Sequence, residues 1–516
     1  MGTDRNWSAL GAGLTLAVGM TGAAFAAEGV PLSAIDWLSD SIAMPQTSVA
    51  APVQPHTATL PTTISVAPID VPVADRAGLI SARELGVPPG LWGRSAAADL
   101  AAALRALPDT SSAPPSLRGF LHDLLVVRLD PPIDATEDDS LYLARVDHLL
   151  EMGRLTSADR LIDAAGAPVP RRFRRAFDVA LLTGTETQAC KVIEETPEIS
   201  PTYPARVFCL ARGGQWDVAA LTLGNAEALG ILTPDEDALL LHFLDPELFE
   251  GEKLPSPPRL PTPLTFRLYE AVGERQPTDQ LPVAFAIADL SDTVGWRTRL
   301  RAVERLAAVD AVSFERLLSV YSERAPAASG AIWDRVGAVQ ALVRAVEDGS
   351  SQKLARTLPE AWQVAKDAGY EAALAGWIAS KLDGRTLDGT AGHAAFEIAL
   401  LAGRPGLAGQ FSAGTAEDDF LLAIATGKGT RAAGADQLGR AVLRGLSARG
   451  PGAQFQALVD DGRSGEALLT ALATLMDGAA GNPDRTANAI AMLRSLGLER
   501  LARQVAVELL LKEGAA

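Results

Sequence analysis

The chain has 516 residues, of which 46 are Lys or Arg and 63 are Asp or Glu, so its formal net charge is −17 with His neutral. A field of that sign repels nucleic acid, and we therefore expect no nucleic-acid partner. Hydrophobic residues make up 48% of the chain but aromatic residues only 5%, so Ala and Leu supply most of the apolar content. Because Ala and Leu favour helices, whereas β-branched and aromatic residues fill sheets, this composition predicts an all-α protein.

Residues 1–26 are typical of an export signal. An apolar run from Ala9 to Met20 is followed by the letters AFA, which end at Ala26 and supply the small residues that signal peptidase requires. We expect cleavage after Ala26 and a periplasmic mature protein. The alternative is a retained N-terminal anchor, for which the run falls short of the about 20 residues that span a bilayer. No later window approaches about 18 consecutive apolar residues, so we expect no integral membrane span after cleavage.

Residues 27–80 are predicted to form a disordered leader, because Pro recurs along them too often for a helix or a strand ladder. Within the leader, Ile35, Leu38 and Ile42 are spaced as one face of a helix, and Trp37 adds an aromatic ring to the same segment. We expect this segment either to pack on the protein's own body or to bind a groove of a partner as an amphipathic helix.

Residues 81–252 are predicted to form an N-terminal domain of helical hairpins. The stretch "LYLARVDHLLEMGRLTSADRLIDAAG" shows the unit, with an apolar face on each of two helices and a turn at Gly153. The same pattern recurs around Gly184. A further helix is expected after Thr233, which forms a capping box with Glu236.

Cys190 and Cys209 are the only cysteines, and an even number in an exported protein favours pairing. We expect one helix to end near Glu195 and the next to carry Cys209, so that a fold about residues 199–200 brings the two cysteines opposite each other. A structural disulfide there would contribute roughly 3 kcal/mol in the chain-entropy model. The alternatives are a redox pair, or a metal site for which two thiolates alone provide too few ligands.

A proline-rich connection is expected at residues 253–264, where five prolines in twelve residues exclude a regular helix. The chain then returns to helical patterns, and residues 265–516 are predicted to form a C-terminal helical-repeat domain.

The hairpin body resembles tetratricopeptide-like α-solenoids, although the regular 34-residue spacing of Trp, Gly, Tyr and Pro is not kept. More closely, the chain is similar to a set of exported helical proteins of alpha-class proteobacteria. The stretches that carry this resemblance are "GLWG" at 90–93, "GWRTRLRAVERLA" at 295–307 and "PAASGAIWDRVGAVQAL" at 326–342, together with the cysteine pair. Neither resemblance implies catalytic or binding residues.

Recognisable catalytic motifs do not occur in the sequence. The five histidines lie more than ten residues apart, so no local metal site is offered, and the G-x-S-x-G nucleophile motif of hydrolases is missing. We therefore expect no catalytic residues, no metal, no cofactor and no enzyme activity.

Aromatic and basic side chains near two predicted helix starts are the candidate partner-binding residues of the body. These are Trp296, Arg297, Arg299, Trp333 and Arg335. Trp and Arg are enriched among residues that dominate binding energy at protein interfaces. The alternative for the tryptophans is packing at hairpin junctions.

These observations favour a periplasmic, non-catalytic scaffold or adaptor that binds an envelope protein or peptide on a helical superhelix. Two alternatives remain. One is a structural subunit of an envelope machine, such as a flagellar or secretion apparatus. The other is a cell-wall or glycan-acting enzyme whose acid pair is assembled from distant helices.

Overall fold

The structure is a computed structural model that describes residues 74–135, 139–326, 328–428, 436–477 and 482–514. By its contacts the chain divides into two units, Met1–Ser33 and Ala34–Ala516, and every described residue belongs to the second. Outside the described residues lie the predicted export signal, its cleavage site after Ala26, and the leader segment with Ile35, Trp37, Leu38 and Ile42.

Helices make up 68% of the structure and strands about 1%, which confirms the all-α class. Before the proline-rich connection the helices are α1 (Ala82–Leu85), α2 (Ala97–Arg105), α3 (Pro115–Val126), α4 (Ser140–Glu151), α5 (Leu155–Ala164), α6 (Pro170–Thr183), α7 (Glu186–Glu195), α8 (Tyr203–Arg212), α9 (Trp216–Ala228) and α10 (Pro234–Leu244). Two short strands, β1 (Ile80–Ser81) and β2 (Val127–Arg128), pair in parallel.

After the connection the helices are α11 (Pro263–Ala271), α12 (Trp296–Ala308), α13 (Phe314–Tyr321), α14 (Ile332–Glu347), α15 (Ser351–Ala368), α16 (Glu371–Ile378), α17 (Gly389–Leu401), α18 (Pro405–Phe411), α19 (Ala416–Thr426), α20 (Gln437–Ser447), α21 (Ala453–Asp460), α22 (Ser464–Met476), α23 (Pro483–Ser495) and α24 (Glu499–Gly514). Short 3-10 helices lie between some of them, the longest at Val283–Leu290.

Many consecutive helices contact each other, among them α4 with α5 and α6 with α7, and these two pairs are separated by the predicted glycine turns at Gly153 and Gly184. The turn between α4 and α5 contains Gly153 at φ +70°, in the left-handed region that glycine enters without strain. A β-carbon at that position would lie 3.3 Å from the side chains of Ala311 and Val283, so the turn also needs a small residue for packing. At the start of α10, the capping box between Thr233 and Glu236 is present as predicted.

Two large clusters of buried apolar residues make up most of the core. The larger one joins side chains from residues 74–165 with side chains from residues 281–509, and it also includes Val179 and Leu182 of α6 and Phe266 of α11. A smaller cluster within residues 173–272 is formed by α6 to α11. The larger cluster exists because α2 contacts α22 and α3 contacts α24, so helices from opposite ends of the described chain share one core.

One buried arginine ties the first described residues to this core. The Arg145 guanidinium donates hydrogen bonds to the carbonyl oxygens of Leu125, Asp75, Ala77 and Val127, at 2.7 to 3.1 Å. Each of these carbonyls is thereby satisfied away from water, where an unpaired polar group would be costly. The β1–β2 pair is held in place beside this arginine.

Residues 253–262 form neither helix nor strand between α10 and α11. The Tyr269 hydroxyl donates to the carbonyl oxygen of Pro255 over 3.0 Å and fastens this connection to α11. The division of the body into two domains at 253–264 stays a prediction, as does the likeness to tetratricopeptide repeats.

Candidate functional site

Cys190 and Cys209 form a disulfide with an S–S distance of 2.01 Å, as the sequence predicted. The bond joins α7 to α8 and is buried in the smaller apolar cluster. Both sulfur atoms are used in this bond, so neither is a thiolate that could bind a metal. The pair fastens one helical hairpin.

Trp296 and Trp333 lie against each other, with ring centroids 5.1 Å apart. The Trp296 indole is buried, and its Nε1 donates to the carbonyl oxygen of Val320 over 2.8 Å. Trp333 is half-buried and packs on the larger apolar cluster. The two tryptophans therefore fill the junction of α12 with α13 and α14, and Trp296 offers little surface to a partner.

The candidate arginines differ in how much of their charge is already neutralised. Arg299 lies 2.5 Å from the Glu323 carboxylate and 3.3 Å from that of Asp292. Arg335 binds Glu304. Arg297 is exposed and makes no ion pair within the part of the chain that the structure describes. Of the three, only Arg297 presents an unpaired charge on the surface.

Glu304 is the centre of a buried polar network. Arg335 donates to both of its oxygens, from Nε over 2.9 Å and from Nη2 over 2.7 Å, and the Tyr321 hydroxyl donates over 2.5 Å. The Tyr370 hydroxyl lies 3.4 Å from that of Tyr321. Burial raises the pKa of both tyrosines, so neither readily loses its proton. Because its oxygens already accept these bonds, Glu304 is poorly placed to take a proton from a substrate.

A pocket of about 460 Å³ opens beside this network. Its lining consists of Asp279, Arg301, Glu304, Arg305, Arg335, Asp367 and Ala368. Three arginines and three carboxylates cancel formally, so the lining has no excess charge that would select an anion or a cation. The Arg305 guanidinium donates to the carbonyl oxygens of Thr278 and Leu281 and is also engaged within the fold. The pocket is therefore a polar junction between helices whose charges largely serve the fold itself.

Helix α9 exposes apolar side chains that sequence reasoning did not select as a site. Ala219, Leu223 and Ala226 are buried and hold the helix on the smaller cluster. On the other side, Val218 is 47%, Leu221 66% and Leu229, directly after the helix, 67% exposed. We call these three exposed residues the α9 strip. The helix is thus covered on one side, while its other side exposes these apolar side chains together with Asn225 and the half-buried Thr222.

The edge of α9 that faces α10 carries a further aromatic group. The Trp216 ring is half exposed and lies 6.3 Å from the Phe243 ring, which is in turn 5.7 Å from that of Phe208. The surface therefore has a rigid aromatic edge beside the α9 strip. Trp216 is not among the residues that the sequence suggested for partner binding. The sequence signal for the strip was that only Thr222, Asn225 and Glu227 are polar between residues 218 and 229.

No group of three or more His, Cys, Asp or Glu that could hold a metal ion is found among the described residues. In the same ranges, none of the helices combines the length and the apolar character needed to cross a bilayer. No protein-family model, curated protein or solved structure matches this chain.

Proposed function

We propose that this protein is an exported, non-catalytic scaffold or adaptor that works in the periplasm and binds an envelope protein or peptide. The observation that carries the proposal is the α9 strip. Apolar surface loses roughly 25 cal/mol per Å² of favourable free energy while it stays in water, and a partner that covers it recovers that energy. Three large apolar side chains exposed on the same side of one helix are typical of an interaction surface.

The disulfide between Cys190 and Cys209 supports the exported location, because such bonds persist in oxidising compartments and are rare in the cytosol. Purification from the envelope and intact-mass measurement test this part of the proposal. We expect a mature chain that starts at Ala27. A chain that still carries residues 1–26 would contradict cleavage and favour the anchor.

The arrangement around Glu304 supports a non-catalytic role. This buried carboxylate is bound by Arg335 and Tyr321, and the neighbouring Arg305 is bound by backbone carbonyls. The proposed likeness to tetratricopeptide-like α-solenoids adds an argument from architecture only, because such solenoids generally bind partners.

The proposal is tested by affinity capture from envelope extract with the full-length protein and with Leu221→Glu. Leu221 is exposed, so a charge at this position should leave the fold intact while it removes the apolar contact. We expect a partner that binds the wild type and is lost from the variant. The matched control is Ile133→Glu, because Ile133 is an exposed apolar residue outside α9, and this variant should retain the partner.

The capture also tests the α9 strip and the leader separately. If Leu221→Glu and the wild type retain the same proteins, the α9 strip is not the binding surface. Deletion of residues 33–42 in the same experiment tests the separate prediction that the leader docks on a partner, since that segment can be lost without any change in α9.

A further inference from the structure

The surroundings of the α9 strip are strongly acidic. Residues 213–252 contain nine acidic residues and no Lys or Arg, so these 40 residues contribute −9 to the net charge of −17. The acidic residues are Asp217, Glu227, Asp235, Glu236, Asp237, Asp245, Glu247, Glu250 and Glu252. Acidic side chains in the first turn of α10 are favoured by the helix dipole, but those near the end of α9 and after α10 are not. The local excess of negative charge is therefore larger than helix capping explains.

Two of these carboxylates lie where they disfavour each other. Burial raises the pKa of Asp237, and the neighbouring charge of Glu227 raises it further. One carboxylate oxygen of Asp237, Oδ1, is buried and has no hydrogen-bond partner among the described residues. An acceptor in this position costs free energy until a donor reaches it. A Lys or Arg side chain of a partner beside this carboxylate pair would supply the opposite charge.

Beside the strip, small side chains on α9 leave room for a second helix to pack. Ala220, Gly224 and Ala228 are exposed and four residues apart, so they follow one another along the helix surface. A β-carbon on Gly224 would meet no atom within 4 Å, which shows that the space above it is open. From Val218 to Leu229 the strip runs about 16 Å along the axis, the length of about three helical turns. Small residues of this kind allow two helices to approach closely.

Charge decides between the possible occupants. A second copy of this chain on the same surface would bring two acidic regions together. Residues 27–73 of the leader contain Glu28, Asp36, Asp40 and Asp70 and no Lys or Arg, so they are repelled as well. An anionic lipid surface is excluded by the same sign. A basic amphipathic helix matches the apolar strip and the acidic surroundings at once.

We propose that the α9 strip docks a basic amphipathic helix of a partner protein, with the apolar stripe of that helix on Val218, Leu221 and Leu229 and its Lys or Arg side chains against the surrounding carboxylates. This inference rests on the proposed function and adds the chemical class of the partner. Helix-in-groove binding supplies the affinity, and the charges supply selectivity and a fast association rate.

The test uses the full-length protein and three labelled synthetic peptides of about five helical turns. One has Lys and Leu in an amphipathic helical order, one has the same composition in scrambled order, and one has Glu in place of Lys. Binding is measured by fluorescence anisotropy at about 0.05 and 0.3 M NaCl. Because the chain is acidic overall, it attracts any basic peptide non-specifically, and the higher salt concentration screens this attraction. We expect the ordered Lys peptide to bind at least about tenfold more tightly than either of the others at the higher salt concentration.

Variants locate the binding. Leu221→Glu should lower the affinity for the ordered Lys peptide at least about tenfold, even though the substitution adds negative charge. Ile133→Glu should leave this affinity unchanged. The double variant Glu227→Gln, Asp237→Asn should lower the affinity for the same peptide about three- to tenfold. The affinity should also change less between the two salt concentrations than it does with the wild type. Circular dichroism checks that each variant is folded.

The failures are distinguishable. Equal binding of the ordered and scrambled Lys peptides would mean that charge alone drives binding, and it would overturn the proposal. In a second outcome, the Glu and Lys peptides bind equally, and Leu221→Glu lowers the affinity of both. That result would overturn the prediction that the partner helix is basic, but the α9 strip would remain a binding surface. No effect of Leu221→Glu on any peptide would overturn both the inference and the surface on which it rests.

Discussion

Arg335 holds Glu304 through two hydrogen bonds, one to each carboxylate oxygen, across 31 residues of sequence. The bonds join α14 to α12, and the Tyr321 hydroxyl on α13 completes the cluster. Two arginine donors on one carboxylate form a strong and directional ion pair. An arginine that the sequence suggested for partner binding therefore also serves the stability of the fold.

Arg335→Ala should destabilise the protein by about 2–3 kcal/mol, because Glu304 would remain buried with one donor in place of three. Urea unfolding measures this change in the free energy of unfolding. Arg301→Ala is the control, since Arg301 is exposed and makes no ion pair with the described residues, and it should change the same quantity by less than about 0.5 kcal/mol. Equal effects of the two substitutions would contradict a structural role for Arg335.

Removal of the disulfide should weaken the smaller cluster more than the larger one. The double variant Cys190→Ala, Cys209→Ala releases a crosslink between residues 19 apart, and the chain-entropy model assigns about 3 kcal/mol to such a loop. Hydrogen exchange, compared between wild type and variant, should accelerate most within residues 173–272. Acceleration that is equal in residues 296–347 would show that the two clusters do not open separately.

Glu508 should make stability fall as the pH rises from acid to neutral. It accepts hydrogen bonds from the Ser116 backbone N–H at 3.0 Å, from the Ser116 hydroxyl at 2.8 Å and from Gln504 at 2.9 Å, yet burial raises its pKa to about 7. The unfolded chain releases this proton near its ordinary pKa of 4.5, whereas the folded chain keeps it until about pH 7. Its contribution is thus complete below the unfolded pKa and is lost as the pH rises through the folded pKa.

Glu508→Gln removes this titration. Between about pH 5 and 8, the free energy of unfolding of the wild type should decrease by up to about 3 kcal/mol more than that of the variant. Burial also raises the pKa of Asp178 to about 7, but Asp178 is present in both proteins, so the difference between the two curves belongs to Glu508. Parallel curves for wild type and variant would contradict the raised pKa.

Local features were predictable from the sequence because their signals lie within one or two helices. The capping box of Thr233 and Glu236, the turn at Gly153 and the pairing of Cys190 with Cys209 all belong to this group. Each depends on residues less than 20 positions apart. Their identities and spacing suffice to predict the contact.

Contacts between distant helices were not predictable in the same way. The Ser116–Glu508 hydrogen bond joins residues 392 positions apart, and no spacing rule connects them. Arg335 shows the same limit, because its acidic partner Glu304 lies on another helix, 31 positions away. The α9 strip escaped attention since an apolar helix gives the same pattern whether its neighbours cover one side or all sides.

If a partner covers the α9 strip in the producing cells, site-specific photo-crosslinking should trap it there. A photoreactive amino acid replaces Val218, Leu221 or Leu229 in turn, with Ile133 as the exposed control. We expect one adduct of the same mass from the three strip positions and none from Ile133. No adduct from the strip, or the same adduct from Ile133, would contradict it.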